Sequence, residues 1–563
     1  MSSSGTKSSI KDSIHPVVFP VSAAIILGIV VAVVIAPDTM GETFVGGRDA
    51  ITANLGWLLI GVVALLLGVA VYLAFSPYKN VKLGPDDSKP DFSTPTWFAM
   101  LFSAGMGIGL VFWGAAEPAF LAGEALFEGN EQQEAMRFTF HHWGFSPWAV
   151  YAIVGLGLAY FGFRREMPMT IRSLFHPLLG DRIHGPIGHA IDILAVVATI
   201  FGVATSLGLG AQQVAAGLDR VFGLDVGGNA GLLLIIGVIT AMAAVSVITG
   251  IDKGIKILSQ INIVAALALA LAVLLIGPTL LLVTAFVENT GNYLQNIVQT
   301  LAFTGSYAGE DAAGVVEGYT VFYWAWWISW SPFVGMFIAR VSYGRTIREF
   351  ILGVLLAPTL VSFAWFTIFG NSALRSPEVT EAVAGGGESE GMYALLESFA
   401  IPGGLVTALS LLVIFVVTVF FVTSSDSASF VVDMISSGGN LNPATQTRVF
   451  WAVLEGAIAA TLLVAVPGDD ALDGLQAGAV TTGLPFAILL VFATWGLLRG
   501  LKEHERPPRV REPGARPPLT VPEATRAERS RRELELREKE LEQKARELDI
   551  REAEIEAANG GAD

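Results

Sequence analysis

Tyr323-Trp324-Ala325-Trp326-Trp327-Ile328-Ser329-Trp330-Ser331-Pro332-Phe333-Val334-Gly335 places four of the chain's twelve tryptophans within seven positions, inside an apolar segment from about Gly318 to Ala339. Interfacial belts put tryptophan near the ends of a membrane span, whereas these lie toward its middle. Ser329, Ser331, Pro332 and Gly335 set small and helix-breaking residues beside the rings. Irregular backbone at membrane depth is tolerated only where protein buries it or it lines a cavity. The expectation is a segment that opens its backbone around a ligand while indole faces wall it in. Such rings suit a quaternary ammonium, which has no N–H to donate and is held by negative π faces. An aromatic packing seam between helices is the competing reading.

Outward from that stretch, the 563-residue chain is 53% hydrophobic and 15% charged, with mean hydropathy +0.60. Apolar runs of about 20 residues, long enough to cross a bilayer, recur along most of it. Twelve candidate spans are read at about 16–36, 52–76, 96–122, 139–163, 186–218, 229–250, 259–287, 318–339, 350–370, 402–434, 446–466 and 473–498. The predicted fold class is therefore an all-α polytopic membrane protein. The first fifteen residues are polar and no A-x-A-like cleavage site follows, so the first apolar run reads as a retained helix. Lys and Arg gather in the termini and same-side loops, whereas the opposite loops hold only Arg48, Arg137, Arg220 and Arg375. Both termini are accordingly expected on the cytoplasmic side of the cell membrane.

The opposite loops are acidic, with Glu124, Glu128, Glu131 and Glu134, then Glu378, Glu381, Glu388 and Glu390, a pattern read as solvation. Residues 289–299 read as an amphipathic helix at the outer interface. From Lys502 the composition turns to a Pro-rich linker and then a mixed-charge helix over about 522–558, half a coiled-coil seam and no polybasic lipid anchor. There is no cysteine, which excludes disulfides and thiolate metal sites. No Walker lysine motif, nucleophile elbow or zinc constellation supports an enzyme, and no nucleic-acid partner is expected.

Span three opens Met100-Leu101-Phe102-Ser103-Ala104-Gly105-Met106-Gly107-Ile108-Gly109, three glycines at alternate positions in a helix. Each weakens the helix by roughly 1 kcal/mol relative to alanine. Close helix packing and an unwound, ligand-facing segment are both open readings. The Trp-rich span five later is also glycine-weakened, and such pairs mark the binding site of inverted-repeat transporters. Span four opens His142-Trp143-Gly144-Phe145-Ser146-Pro147-Trp148-Ala149-Val150-Tyr151, where Trp148 and Tyr151 share a helix face and offer a second aromatic wall. His141 and His142 read as interfacial rather than as metal ligands. Span ten ends Phe420-Phe421-Val422-Thr423-Ser424-Ser425-Asp426-Ser427-Ala428-Ser429, with hydroxyls and carbonyls suited to a hard cation such as sodium. Asp426 and Glu117 are intramembrane acids and hence functional candidates, Asp426 for gating or coupling.

Gly105 to Gly109, Trp143 to Tyr151, Tyr323 to Gly335 with Arg345-Thr346-Ile347-Arg348-Glu349-Phe350, and Thr423 to Ser429 resemble the betaine/choline/carnitine transporter family. The resemblance covers roughly residues 15–500 and is closest to its sodium-coupled glycine betaine carriers. It implies twelve transmembrane helices, a leucine-transporter-like inverted five-helix repeat in spans 3–12, and a homotrimer in the lipid membrane. The implied organisation is a cytoplasmic tail at 1–15, two leading helices at 16–95, a first repeat at 96–287, an extracellular amphipathic helix and loop at 288–317, a second repeat at 318–500, and a cytoplasmic linker and helix at 501–563.

Carried over by motif, the resemblance places a substrate's trimethylammonium among Trp143, Trp148, Tyr151, Trp326, Trp327 and Trp330. The substrate carboxylate falls by the backbone of Gly105, Met106, Gly107 and Gly109. One coupling sodium ion falls between Ser103 and Met106 and Phe420, Thr423 and Ser424, and no other cofactor is implied. A second sodium set matches at Thr199, Tyr151 and Phe333, but Val203 stands where the family has a threonine. The resemblance thus implies a sodium-driven symporter for an osmoprotectant such as glycine betaine. The alternatives are a proton-coupled choline carrier, against which Gly109 speaks, a sodium-independent exchanger, against which Met106 speaks, and a channel or membrane receptor.

Overall fold

The computed structural model describes residues 14–105, 107–124, 130–249, 252–384, 387–465 and 471–505. The Pro-rich linker, the C-terminal charged helix and nearly all of the N-terminal tail lie outside them. The described residues are all-helical apart from an isolated bridge between Lys82 and Thr346. α1 (Val18–Ile35) and α2 (Pro37–Phe75) lead, then α3 (Thr94–Gly105) and α4 (Ile108–Leu121), and α5 (Glu131–Trp143) and α6 (Phe145–Ala159). The short α7 (His176–Leu179) precedes α8 (Pro186–Phe222), α9 (Asn229–Thr249) and α10 (Asp252–Ile276). α11 (Thr279–Leu301) and α12 (Glu310–Val315) lead into the Trp-rich α13 (Val321–Arg340). α14 (Ile347–Ala373), the short α15 (Pro377–Ala384) and α16 (Gly391–Ser398), α17 (Gly403–Ser436), α18 (Thr445–Ala465) and α19 (Ala471–His504) follow.

Among the described residues, ten helices are long and apolar enough to cross a membrane. The two expected spans outside that set are α3–α4, broken into two short halves, and α13, which its indoles and hydroxyls make less apolar. These are the helices the interior uses. α4, α6 and α13 are buried along nearly their whole length, as befits helices apolar all round. By contrast α9, α10 and α11 expose Leu234, Val245, Val264, Leu275, Leu280 and Val298. Apolar surface on that scale is suited to lipid, not to water.

The helix pairings have an internal order. α4 packs on α14 as α6 packs on α13, α8 on α18 as α9 on α17, and α10 on α17 as α19 on α8; α8 also meets α17, and α9 meets α18. Exchanging the five helices α4, α6, α8, α9 and α10 for α13, α14, α17, α18 and α19 returns these named pairs, whereas α13 on α19 is not matched by a comparable pairing of α4 with α10.

α6 and α13 cross glycine on glycine. A Cβ built on Gly155 would stand 3.0 Å from Gly335 O, and one on Gly335 would stand 3.1 Å from Gly155 N and 2.7 Å from Val154 Cγ1. Removing both side chains lets the backbones approach as small residues allow in membrane bundles. On the face holding residues 79–83 and 344–348, Trp97 Nε1 donates to Ser342 Oγ at 2.9 Å while the Arg345 guanidinium lies 3.9 Å from the Trp97 ring. Thr346 and Glu349 then form a capping box that starts α14.

Several expectations change. The Trp-rich span does not open its backbone: α13 runs unbroken through Pro332. Proline removes the N–H that would serve the Ile328 carbonyl, and Ser331 Oγ donates to that carbonyl instead, at 2.7 Å. The irregular backbone is a π-helical turn at Val316–Thr320, just before α13. The expected seventh span ends early, because Gly277-Pro278 stops α10 at Ile276, and the amphipathic segment belongs to α11, which begins at Thr279. His141 and His142 are fully buried rather than interfacial. The outer acids are partly paired: Arg220 bridges Glu390 and Glu397.

The α6–α13 crossing generates a stability prediction. Gly335→Ala inserts a methyl group where no space exists, and such overpacking costs about 1–3 kcal/mol. The thermal midpoint of the purified protein in detergent should fall by several degrees, whereas Gly237→Ala, with open space at its Cα, should leave it unchanged.

Candidate functional site

The break between α3 and α4 is the first component. α3 ends at Gly105 and α4 begins at Ile108, with Gly107 at φ −159° and ψ −132°. Met106 lies outside the described residues. The break rests on α17: a Cβ on Gly107 would fall 3.6 Å from Ser424 Oγ and 3.8 Å from Phe420 Cδ1. At the second residue of α4, a Cβ on Gly109 would fall 2.7 Å from Trp143 Cη2 and 2.9 Å from Trp326 Cη2. Only hydrogen fits there.

The aromatic wall is the second. Trp326 and Trp327 stack at 4.4 Å and 14°, and Trp143 stands edge-on to Trp327 at 4.9 Å. Trp330 lies 6.2 Å from Trp327. These four indoles, with Gly107, Ile108, Gly109, Ser206 and Ser424, enclose a cavity of about 10 Å³, the volume of about one water. Trp148 and Tyr151 stand behind the wall rather than on its face. Their rings meet at 5.5 Å, and Tyr151 lies 6.3 Å from both Trp327 and Trp330.

Each lining indole N–H but one is tied down. Trp326 Nε1 reaches Gly202 O and Ser206 Oγ on α8, both at 3.2 Å. Trp327 Nε1 donates to His142 O at 3.0 Å; this carbonyl, in the last turn of α5, has no helical N–H to serve. Trp143 Nε1 donates to Glu117 Oε2 at 2.6 Å. Trp330 Nε1 and Tyr151 OH are buried without a partner among the described residues. Of the two, Trp330 lines the cavity and Tyr151 stands behind it.

The expected ion ligands fall into two neighbourhoods. Phe420 and Ser424 face the helix break, while the Thr423 hydroxyl donates back to Val419 O at 2.9 Å and keeps its lone pairs. Ser103 lies in the last turn of α3, two residues before it ends. In the second set, the Thr199 hydroxyl donates to Ala195 O at 2.7 Å, and Phe333 touches Trp330 at 5.6 Å. Val203 is buried one turn further along α8. Thr205 donates to Phe201 O at 2.9 Å and faces Leu475 on α19, so its hydroxyl is turned toward that helix. Asp426 is held by Arg448 at 3.0 Å and by Ser246 at 3.4 Å, a contact among α17, α18 and α9 that lies apart from the indoles.

A second cavity, of about 640 Å³, opens among Arg48, Asp219, Glu317, Glu388, Glu390 and Asp473. Phe112 lines it, one turn along α4 from Ile108 of the small cavity. About 6 Å of helix rise separates these two lining residues. Sequence reasoning missed Ser206, Gly202 and the part played by Glu117; the signal available was an acid inside an apolar run and a histidine directly before Trp143.

Residues 17–506 match the family model described as BCCT, betaine/carnitine/choline family transporter. The glycine betaine transporter OpuD of Bacillus subtilis is 44% identical, over 84% of this chain and 91% of its own length. A glycine betaine/proline/choline transporter of Vibrio parahaemolyticus is 43% identical, over 82% and 86%. An uncharacterised transporter of Mycobacterium tuberculosis is 45% identical, over 81% and 78%.

Gly109→Ala should part Trp143 from Trp326, since its methyl group has nowhere else to go. The tryptophan emission of the purified protein should shift to the red, with helix content by circular dichroism unchanged. An unshifted spectrum would mean that the rings do not close on Gly109.

Proposed function

The chain belongs to the betaine/carnitine/choline family of transporters, and on that premise we propose that it is a sodium-driven symporter of glycine betaine or a closely related quaternary-ammonium solute. It is a multi-pass membrane transporter and not an enzyme. The observation that carries the substrate reading is the cavity walled by Trp143, Trp326, Trp327 and Trp330 against the glycines of a broken helix. Indole faces attract a trimethylammonium group at roughly 0.5–2 kcal/mol each. Micromolar affinity requires about 8 kcal/mol, so several rings and the carboxylate contacts must act together.

The remaining polar features suit a zwitterion. The free N–H groups that begin α4 carry the positive end of its dipole and favour a carboxylate. Trp330 Nε1, on a ring that lines the cavity, is a further unpartnered donor. The bound pose places the ammonium among the indoles and the carboxylate by Gly107 and Gly109. The cavity must widen to take it, which is the closing and opening expected of alternating access.

In this reading all twelve segments cross the cytoplasmic membrane, α3–α4 and α13 included, with both termini inside. The exchangeable helix pairings support two inverted five-helix repeats. The assembly is proposed to be a homotrimer and the physiological role osmoprotection. Sodium is proposed to sit between the end of α3 and Phe420, Thr423 and Ser424, supported by the contact of Gly107 with Phe420 and Ser424. With Val203 in place of a ligand and Thr205 turned to α19, the second set is proposed to hold no sodium.

The test is uptake of radiolabelled glycine betaine by purified protein in liposomes. Uptake should require an inward sodium gradient; uptake indifferent to sodium would remove the symport reading. Trp330→Leu should raise the apparent KM about tenfold at normal expression, the loss of roughly one ring–cation contact. Glycine betaine is neutral overall, so each sodium moves one charge, about 2.3 kcal/mol per 100 mV. The solute ratio sustained at a clamped potential should match fewer than two sodium ions per cycle, and a ratio demanding two would assign the second set after all.

A further inference from the structure

We propose that Glu117 is a positioning and specificity-determining residue of the aromatic site, a carboxylate that fixes the Trp143 indole and strengthens its attraction for a cation. The inference rests on the quaternary-ammonium reading above and extends it to a group that touches no substrate. Glu117 is fully buried in α4. Its Oε2 accepts from Trp143 Nε1 and from Tyr323 OH, each at 2.6 Å, and its Oε1 lies 2.7 Å from His142 Nδ1. His142 Nε2 in turn meets Thr320 Oγ1 at 2.9 Å. A neutral imidazole that donates at Nδ1 and accepts the threonine proton at Nε2 satisfies every atom of the chain. Among the described residues no lysine or arginine pairs with this carboxylate; it is held by neutral donors alone.

In its ionised form Glu117 acts on the site through the Trp143 ring. Glu117 and Gly109 lie eight residues apart on α4, about 12 Å by helix rise. The Trp143 indole bridges them, its Nε1 on Glu117 and its far edge over Gly109. A carboxylate accepting from an indole N–H pushes electron density into the ring, since hydrogen-bonded groups polarise one another in a low dielectric. A more negative π face holds a cation more tightly. The same acid steadies the neighbouring wall, because Tyr323 lies over His142 at 4.6 Å and the His142 carbonyl takes the Trp327 N–H. A buried charge one ring away acts on the net charge of a ligand, so it favours a bare cation over a zwitterion.

Glu117→Gln separates charge from geometry. The amide oxygen still accepts from Trp143 and Tyr323, and its NH₂ donates to the other tautomer of His142. Binding to the purified full-length protein would be read by tryptophan fluorescence with tetramethylammonium, choline and glycine betaine. E117Q should weaken tetramethylammonium and choline about tenfold and glycine betaine clearly less, the scale of a unit charge across one ring, with the thermal midpoint unchanged. An unaltered cation-to-betaine ratio would overturn the proposal. Tyr323→Phe provides the second arm, since it withdraws one donor and leaves the charge more fully on the indole. It should raise the cation preference about twofold; a shift toward betaine would overturn the proposal even if E117Q does not fold. Failure of the unaltered protein to bind any of the three probes would instead remove the quaternary-ammonium reading, and this inference with it.

Discussion

One close backbone approach in the bundle, Gly155 against Gly335, governs what the site can be. With no side chain at either glycine, α6 and α13 come near enough for Tyr151, which packs on Trp148, to back onto Trp327 and Trp330. Indole rings are wide and stiff, so a small change in helix spacing alters whether they stack or leave a gap. Membrane helices have no hydrophobic force between them to tighten such a fit. The glycines perform that task by geometry, and the aromatic wall inherits its order from them.

Within this arrangement the polar groups are placed with unusual economy. An indole N–H in a dry interior costs free energy unless something accepts it. Trp143 uses a carboxylate, Trp326 a carbonyl and a hydroxyl, and Trp327 a carbonyl freed where α5 ends at Gly144. Away from the cavity, Trp365 Nε1 bonds Leu110 O at 2.7 Å, tying α14 to α4. The break between α5 and α6 thus supplies Trp327 with an acceptor that an unbroken helix would have spent on itself. Trp330, which lines the cavity, and Tyr151 behind it stand outside this scheme.

Much of this was legible in the sequence because its physics is local. Apolar length announced the ten long apolar helices, and alternate glycines offered the break at Gly105–Gly107 as one of two readings. The spacing of Trp148 and Tyr151 gave their shared face. The continuity of α13 was not legible, since it depends on a single serine hydroxyl replacing a proline's missing N–H. The burial of His141 and His142 was hidden for a related reason: an imidazole at a span's end becomes interior only when another helix covers it. Ser206 and Gly202 carry no signal of their own, being small residues on a long apolar helix. Their place beside Trp326 is a fact of packing between segments more than a hundred residues apart.

The closeness of the stacked rings has a kinetic consequence. A space holding about one water admits a larger molecule only if Trp143, Trp326 and Trp327 move apart, and releases it only by the same movement. Entry and departure then share one barrier, set by the dispersion lost as the stack opens. Loosening the stack lowers that barrier in both directions while weakening the hold on whatever lies inside. Residence time and throughput are therefore tied to a single mechanical element, and neither can be tuned without the other.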